Sequence, residues 1–197
     1  MYVRDAKNRD EVWLLDRIEE SALEDPAFRS RDYVIALDET TNTRAGFGRI
    51  RLHKTDDEEF CELAFVLTLS AWRDQGVGAH VVERLVTKAA DDDFDRVYTF
   101  TREPDYFLTF GFEPVDSADL PDELRERLDA VRDERGDDTI AMRLQPGRFR
   151  MPDELRERFK SARPVDEPAP DEVAIEETAE DFGIDPEKTT YKYDTGR

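Results

Sequence analysis

The stretch "LSAWRDQGVGAHVVERLVTKAA", Leu69 to Ala90, places two glycines, Gly76 and Gly78, between a strand-like run and a helix-like one. Upstream, Phe60 to Thr68 alternates: Cys61, Leu63, Phe65 and Leu67 fall on one face, and Glu62, Ala64, Val66 and Thr68 on the other. Downstream, roughly Gly76 to Ala90, Val77, Val81, Val82 and Leu85 form one helical stripe. A turn that opens a helix leaves N–H groups unpaired and adds the positive end of the helix dipole. Glycine lets backbone approach a ligand and take up positive φ. Together these make an anion cradle, most often for phosphate. Two glycines alone favour the plainer reading, a strand-to-helix turn that uses glycine only for its geometry.

Comparing phosphate cradles narrows the choice. A P-loop needs a lysine and a hydroxyl residue after the second glycine, where Ala79 and His80 stand here. A dinucleotide fingerprint needs a small residue at Val81 and a turn that follows its strand directly. The coenzyme A diphosphate loop, Arg/Gln-x-x-Gly-x-Gly/Ala, is matched in full by Arg73-Asp74-Gln75-Gly76-Val77-Gly78.

Outward from this stretch the chain alternates strands and helices. "YVRDA" (Tyr2–Ala6) predicts a short strand. A helix follows, capped at Asn8, with an apolar stripe at Val12, Leu15, Ile18 and Leu23. Tyr33 to Leu37 and Gly46 to His53 read as strands joined by a polar turn. Beyond the central helix, Arg96 to Thr101 is a strand, and "EPDYFLTFGF" is a short helix with Pro104 in its first turn and Gly111 as its stop. Phe112 to Val115 opens another strand, "LPDELRERLDAVRDERG" is an acidic–basic helix ending at Gly136, and Thr139 to Gln145 is the last strand. Past Pro146 the composition changes: "MPDELRERFKSAR" predicts one more helix, "PVDEPAPDE" a linker, and the remainder has few core residues. The heptapeptide "PDELRER" occurs at Pro121–Arg127 and at Pro152–Arg158; one match of that length is a shared helix start, not a repeat architecture.

Composition bounds the function classes. Of 197 residues, 38% are hydrophobic, enough for a core, and 40% are charged, against a usual figure of about 25%. The net charge of −20 opposes nucleic-acid binding through the bulk surface. Lysines number six among 29 basic residues, and carboxylates are spread along the chain. That is the haloarchaeal-type pattern of proteins kept soluble in high salt, where screening relieves self-repulsion. The single cysteine, Cys61, excludes an intrachain disulfide. No run of about 18 apolar residues suggests a membrane span, and the N-terminus lacks a signal-peptide core. A cytoplasmic protein is therefore expected. Two histidines and one cysteine, far apart, offer no metal-ligand spacing.

The segment "CELAFVLTLSAWRDQGVGAHVVERL" (Cys61–Leu85) resembles the GNAT superfamily of N-acetyltransferases, keeping Trp72, Arg73, Gln75, Gly76 and Gly78 of the family motif, with Ser70-Ala71 where Pro-Glu is common. "YFLTFGFEPV" (Tyr106–Val115) is similar to the family's later aromatic–Gly-Phe segment, in the expected order and separation. "YTFTREPDYFLTFGFEPVDSADLP" also resembles the acetyltransferase domain of N-acetylglutamate synthases, through Thr101, Arg102, Tyr106, Phe107, Gly111 and Phe112. The resemblance implies an α/β (α+β) fold with a mixed, mostly antiparallel, curved sheet flanked by helices. The family-type domain would span 1–147, and 148–197 a C-terminal helix plus an acidic extension.

It implies an acetyl-CoA-dependent N-acetyltransferase acting on a small amine, with an amino acid such as glutamate as the specific expectation. Backbone amides of Gln75, Gly76, Val77, Gly78 and Ala79 would bind the diphosphate, with Asp74 in the same turn, and the strand edge at Val66, Leu67 and Thr68 would pair with the pantetheine arm. Arg73 is a phosphate ligand or a partner for surface acids. Glu62 is the candidate general base, directly or through water. The family's tyrosine falls at Phe107; neighbouring Tyr106 is offset by about 100° on a helix and is either the acid for the leaving thiolate or a packing residue. Arg102 is placed to grip a substrate carboxylate. Trp13, Phe28 and Tyr33 read as core or as acceptor-pocket lining, His80 as a surface residue, and Cys61 as a small core hydrophobe. Alternatives are an acetyltransferase for protein N-termini or lysines, and a non-catalytic acyl-CoA sensor. Expected partners are acetyl-CoA and the acceptor, with a homodimer as an assembly option and no nucleic acid, membrane or metal.

Overall fold

Residues 1–55 and 58–165 are described by the computed structural model. Seven strands form one sheet in the order β1-β2-β3-β4-β5-β7-β6: β1 Tyr2–Asp5, β2 Tyr33–Leu37, β3 Arg44–Lys54, β4 Glu59–Thr68, β5 Val97–Thr101, β6 Glu113–Val115 and β7 Ile140–Leu144. Every pairing is antiparallel except β4 with β5. The helices are α1 Glu11–Glu20, α2 Val77–Asp91, α3 Pro104–Leu108, α4 Asp122–Arg135 and α5 Asp153–Ser161. No helix among the described residues is long and apolar enough to cross a membrane. The expectations for the linker beyond residue 165 and for the acidic extension lie outside the described residues.

Alternation along the strands sorts the core into two faces. Val34 and Ala36 of β2, Cys61 and Leu63 of β4 and Val97 of β5 pack under α2, whose Val81, Val82, Leu85 and Ala89 are buried. Cys61 is a buried small hydrophobe, as expected, and burial pushes its thiol pKa up to about 12. On the opposite face, Tyr33, Ile35 and Leu37 meet Leu14 and Ile18 of α1. Further along that face, Tyr98 and Phe100 meet Leu124, Leu128 and Val131 of α4.

Three local expectations are corrected. The stripe of α1 is Leu14 and Ile18, while Val12 is 72% exposed and Leu15 is exposed too. A 3₁₀ turn at Asn8–Asp10 precedes the helix and sets its rotation. Asn8 is not the cap: the amide of Lys7 donates to Asp10 Oδ2 at 3.0 Å, and buried Asp10 also ion-pairs Arg4 and Arg44. Burial works against the ionised form of Asp10, but those partners overcome it and hold its carboxyl far below the usual range.

The third correction bears on the site. The alternation of β4 breaks at Phe65, which has φ +53° and marks a bulge: Phe47 pairs with Leu67, yet Arg49 pairs with Ala64. Phe65 and Leu67 therefore join Ala64 on the α1 face, and Val66 moves to the α2 face.

Candidate active site

Strands β4 and β5 are paired only at Cys61↔Val97 and Glu62↔Tyr98. Beyond that point Thr99 Oγ1 donates to Leu63 O at 3.0 Å, and the strands then part. β4 stays paired to β3 as far as Thr68↔Gly46, so its edge toward β5 is open from Val66 to Thr68. That is the stretch expected to take an added extended partner.

A cavity of about 220 Å³ lies in the split. Glu62 to Val66 of β4, Thr99 to Thr101 of β5, Phe107 of α3, and Arg127, Val131 and Arg135 of α4 border it, with Arg102 and Thr139. Glu62 is 2% exposed. Three basic side chains converge on its Oε2: His53 Nε2 at 2.7 Å, Arg127 Nε at 3.3 Å and Arg51 at 3.7 Å. Its Oε1 has no protein donor among the described residues. Burial alone would raise the Glu62 pKa; the His53 hydrogen bond and the charges of Arg127 and Arg51 outweigh it and hold the carboxyl below its usual range. Glu62 is therefore ionised at neutral pH, with one oxygen anchored and one free for a ligand or a water.

Positive charge accumulates around this carboxylate. The guanidinium groups of Arg51 and Arg135 lie 5.3 and 5.8 Å from the Phe65 ring centroid, brought there by the bulge. Arg102 stands at the rim, its Nε 2.7 Å from Asp138 and its side chain 54% exposed. Thr139 is fully buried, and its Oγ1 has no hydrogen-bond partner among the described residues. A buried hydroxyl left unpaired beside a cavity suits a polar ligand. Behind this band, Asp25 of the segment between α1 and β2 ion-pairs Arg49 and accepts from Tyr33 Oη at 2.6 Å. Tyr33, Phe28 and Trp13 pack in the α1-side core and do not border the cavity.

A second cavity, of about 520 Å³, lies at the start of α2. Thr68, Trp72, Arg73, Asp74, Gly76, Val77, Gly78 and Tyr106 border it, together with residues of α5. Gly76 caps α2 with φ +76°, preceded by Asp74 at φ +59°. The first amide of the helix with a backbone acceptor is that of His80, which donates to Gly76 O at 3.2 Å. Among the described residues the amides of Gln75, Gly76, Val77, Gly78 and Ala79 have no acceptor, so five donors are bared in one turn. The Gln75 side chain ties the loop to itself, donating to Ala71 O at 3.3 Å. Arg73 makes no ion pair among the described residues.

Glu62 and Tyr106 border neighbouring cavities rather than one. On α3, Phe107 faces the β4–β5 split, and Tyr106 faces the α2 loop. A Cβ on Gly78 would lie 2.9 Å from the Tyr106 hydroxyl and 3.1 Å from Thr68 Oγ1. Burial raises the Tyr106 pKa. His80 is not a surface residue: it is buried, its Nδ1 donates to Gly76 O at 2.9 Å, and its ring stacks on Phe159 at 3.8 Å.

Sequence reading missed His53, Arg51, Arg127, Arg135 and Thr139. Arg127 and Arg135 do carry a legible signal, since they fall on the stripe of Leu124, Leu128 and Val131 at helical spacing. Arg49, Arg51 and His53 alternate along β3, which places them on one face.

Known proteins share this fold. The model of the acetyltransferase (GNAT) family covers residues 2–112. Among solved structures, Rv2747 from Mycobacterium tuberculosis in complex with CoA and NLQ superposes with a TM-score of 0.62, at 19% identity, over 74% of this chain and 99% of that one. N-acetylglutamate synthase from Neisseria gonorrhoeae, complexed with coenzyme A and N-acetyl-glutamate, gives 0.57 at 16% identity, over 73% of this chain but 34% of that longer one. The NatC complex bound to Gag peptide and CoA gives 0.50 at 14% identity, over 74% of this chain and 99% of the matched chain. At such identities the superpositions speak for the fold, and the family match for the chemistry. The chain belongs to the acetyltransferase (GNAT) family and is an acetyltransferase with acetyl-CoA as its co-substrate.

Proposed function

We propose that the protein acetylates the amine of a small, carboxylate-bearing acceptor, an amino acid such as glutamate. The observation that carries this is the charge of the β4–β5 cavity. In a chain of net charge −20, Arg102, Arg127 and Arg135 border it against Glu62 and the exposed Glu103, and behind it Arg49 and Arg51 share the buried Asp25. A cationic surplus in a partly desolvated cavity favours an anionic ligand. Arg102 at the rim and the unpaired Thr139 hydroxyl add polar contacts for the same ligand.

In this reading the bared amides of Gln75 to Ala79 hold the co-substrate's diphosphate, with Arg73 beside them. The open β4 edge at Val66, Leu67 and Thr68 holds the pantetheine arm and directs the thioester into the split. Glu62, ionised, takes the amine proton through Oε1 or one water. His53 and Arg127 keep Oε2 engaged and the carboxylate oriented, which makes them positioning residues. The new C–N bond forms as the C–S bond breaks, and the thiolate leaves with a proton from Tyr106 or water. Holding both reactants in line supplies most of the acceleration. The acidic surface fits a cytoplasm of high ionic strength.

The test is thiol release from acetyl-CoA with L-glutamate, other amino acids, polyamines and N-terminal peptides, in molar salt. Turnover is expected with acidic or other carboxylate-bearing amino acids. Arg135→Gln should raise the acceptor KM by about tenfold, the scale of one lost charge-assisted hydrogen bond, whereas Arg127→Gln should lower kcat as well, because it also releases Glu62 Oε2. Turnover with peptides or polyamines alone would contradict the proposal.

A further inference from the structure

Helix α5 lies beyond residues 2–112, the part matched by the family, yet it forms a wall of the α2-loop cavity. Its contacts with the loop are backbone-close. A Cβ on Gly76 would sit 2.2 Å from Leu155 O, so only glycine admits α5 there. Phe159 stacks on His80 at an interplanar angle of 11°. After the helix, the Arg163 amide donates to Gln75 Oε1 at 2.8 Å, and the Val165 amide donates to Ala71 O at 2.8 Å. Within the helix, Arg158 Nη1 donates to Asp74 O at 3.3 Å, which sets its guanidinium on the loop backbone at the cavity's edge.

We infer that Arg158 is a ligand for the co-substrate's diphosphate, and that the segment Pro152–Val165 completes the co-substrate site. The inference rests on the assignment of the loop to the diphosphate. Backbone amides donate hydrogen bonds but carry no formal charge, and a diphosphate brings negative charge that must be matched locally. Around the cavity, Asp74 and Glu154 oppose an anion. The guanidinium groups bordering it are those of Arg73 and Arg158. Arg158 has five N–H donors. Asp74 O and Glu154 engage Nη1 and Nη2, and donors remain for phosphate oxygens. The Glu154 pairing, one helical turn away, orients the guanidinium before the ligand arrives.

Acetyl-pantetheine, which carries the thioester without diphosphate or adenosine, separates the possibilities. For the full chain we expect Arg158→Gln to raise the KM for acetyl-CoA by about tenfold with little change in kcat, and Arg158→Lys to fall between. The KM for acetyl-pantetheine should be the same in wild type and variant. An unchanged KM for acetyl-CoA would overturn the inference. So would an equal rise for both thioesters, which would mean that Arg158 only shapes the fold. A wild-type enzyme that uses the two thioesters equally well would remove the loop assignment itself, and this inference with it.

Discussion

Glu62 concentrates the electrostatics of the β4–β5 cavity in one side chain, which is why the proposed function makes it the base. A carboxylate this buried is costly unless its charge is matched, and here His53, Arg127 and Arg51 match it through a single oxygen. Its folded pKa is lowered, so it stabilises the fold above the unfolded value of about 4.5 and loses that contribution as pH falls through the folded value. Two outcomes follow for Glu62→Gln. Turnover should drop by roughly 10² to 10⁴, the range for a lost general base. Urea unfolding from pH 7 to pH 3 should show a shallower loss of stability than wild type, because one acid-sensitive group is gone. A variant with wild-type kcat would remove Glu62 from the proton path. Glu62 was legible in the sequence as a polar residue on an apolar strand beside the glycine turn. Its partners were not, because His53, Arg51 and Arg127 reach it from β3 and α4, and their convergence depends on the register Arg51↔Glu62.

At the level of elements, the helix α2 and its turn were the most readable part of the molecule, since glycine, spacing and stripe all point the same way. The β4 bulge was the least. Val66 and Phe65 are ordinary strand residues, and nothing in their identities announces a positive φ at Phe65. Yet the bulge brings Phe65 under Arg51 and Arg135 and turns Val66 to the other face. The docking of α5 was equally hidden: its amphipathic pattern marks a buried face but not the surface that receives it. Gly76 joins the two features. A side chain there meets both a positive φ and the carbonyl of Leu155. Gly76→Ala should destabilise the protein by about 1–3 kcal/mol in denaturant titration, combining strain with displaced helix packing. It should also weaken acetyl-CoA binding measured by calorimetry. Unchanged stability and affinity would mean that α5 sits on the loop without constraining it.

Across the whole molecule, an acidic protein has to bind an anionic co-substrate. With a net charge of −20 the long-range field repels the thioester, and salt shortens the reach of that field to about 3 Å at 1 M. In the proposed reading, binding is then decided by groups in contact: the bared amides at Gln75–Ala79, Arg73 and Arg158 at the loop, and the arginines of the split. Composition shows the overall sign of the charge but not these local reversals, which arise only when β3, α4 and α5 fold onto one sheet. The central claim is that the turn into α2 grips the diphosphate of acetyl-CoA, and a crystal structure with coenzyme A bound, grown in molar salt, tests it most directly. The account predicts phosphate oxygens within about 3.2 Å of the amides of Gln75 to Ala79, the usual hydrogen-bond limit. A diphosphate bound elsewhere on the protein, or no coenzyme A at a saturating dose, would contradict it.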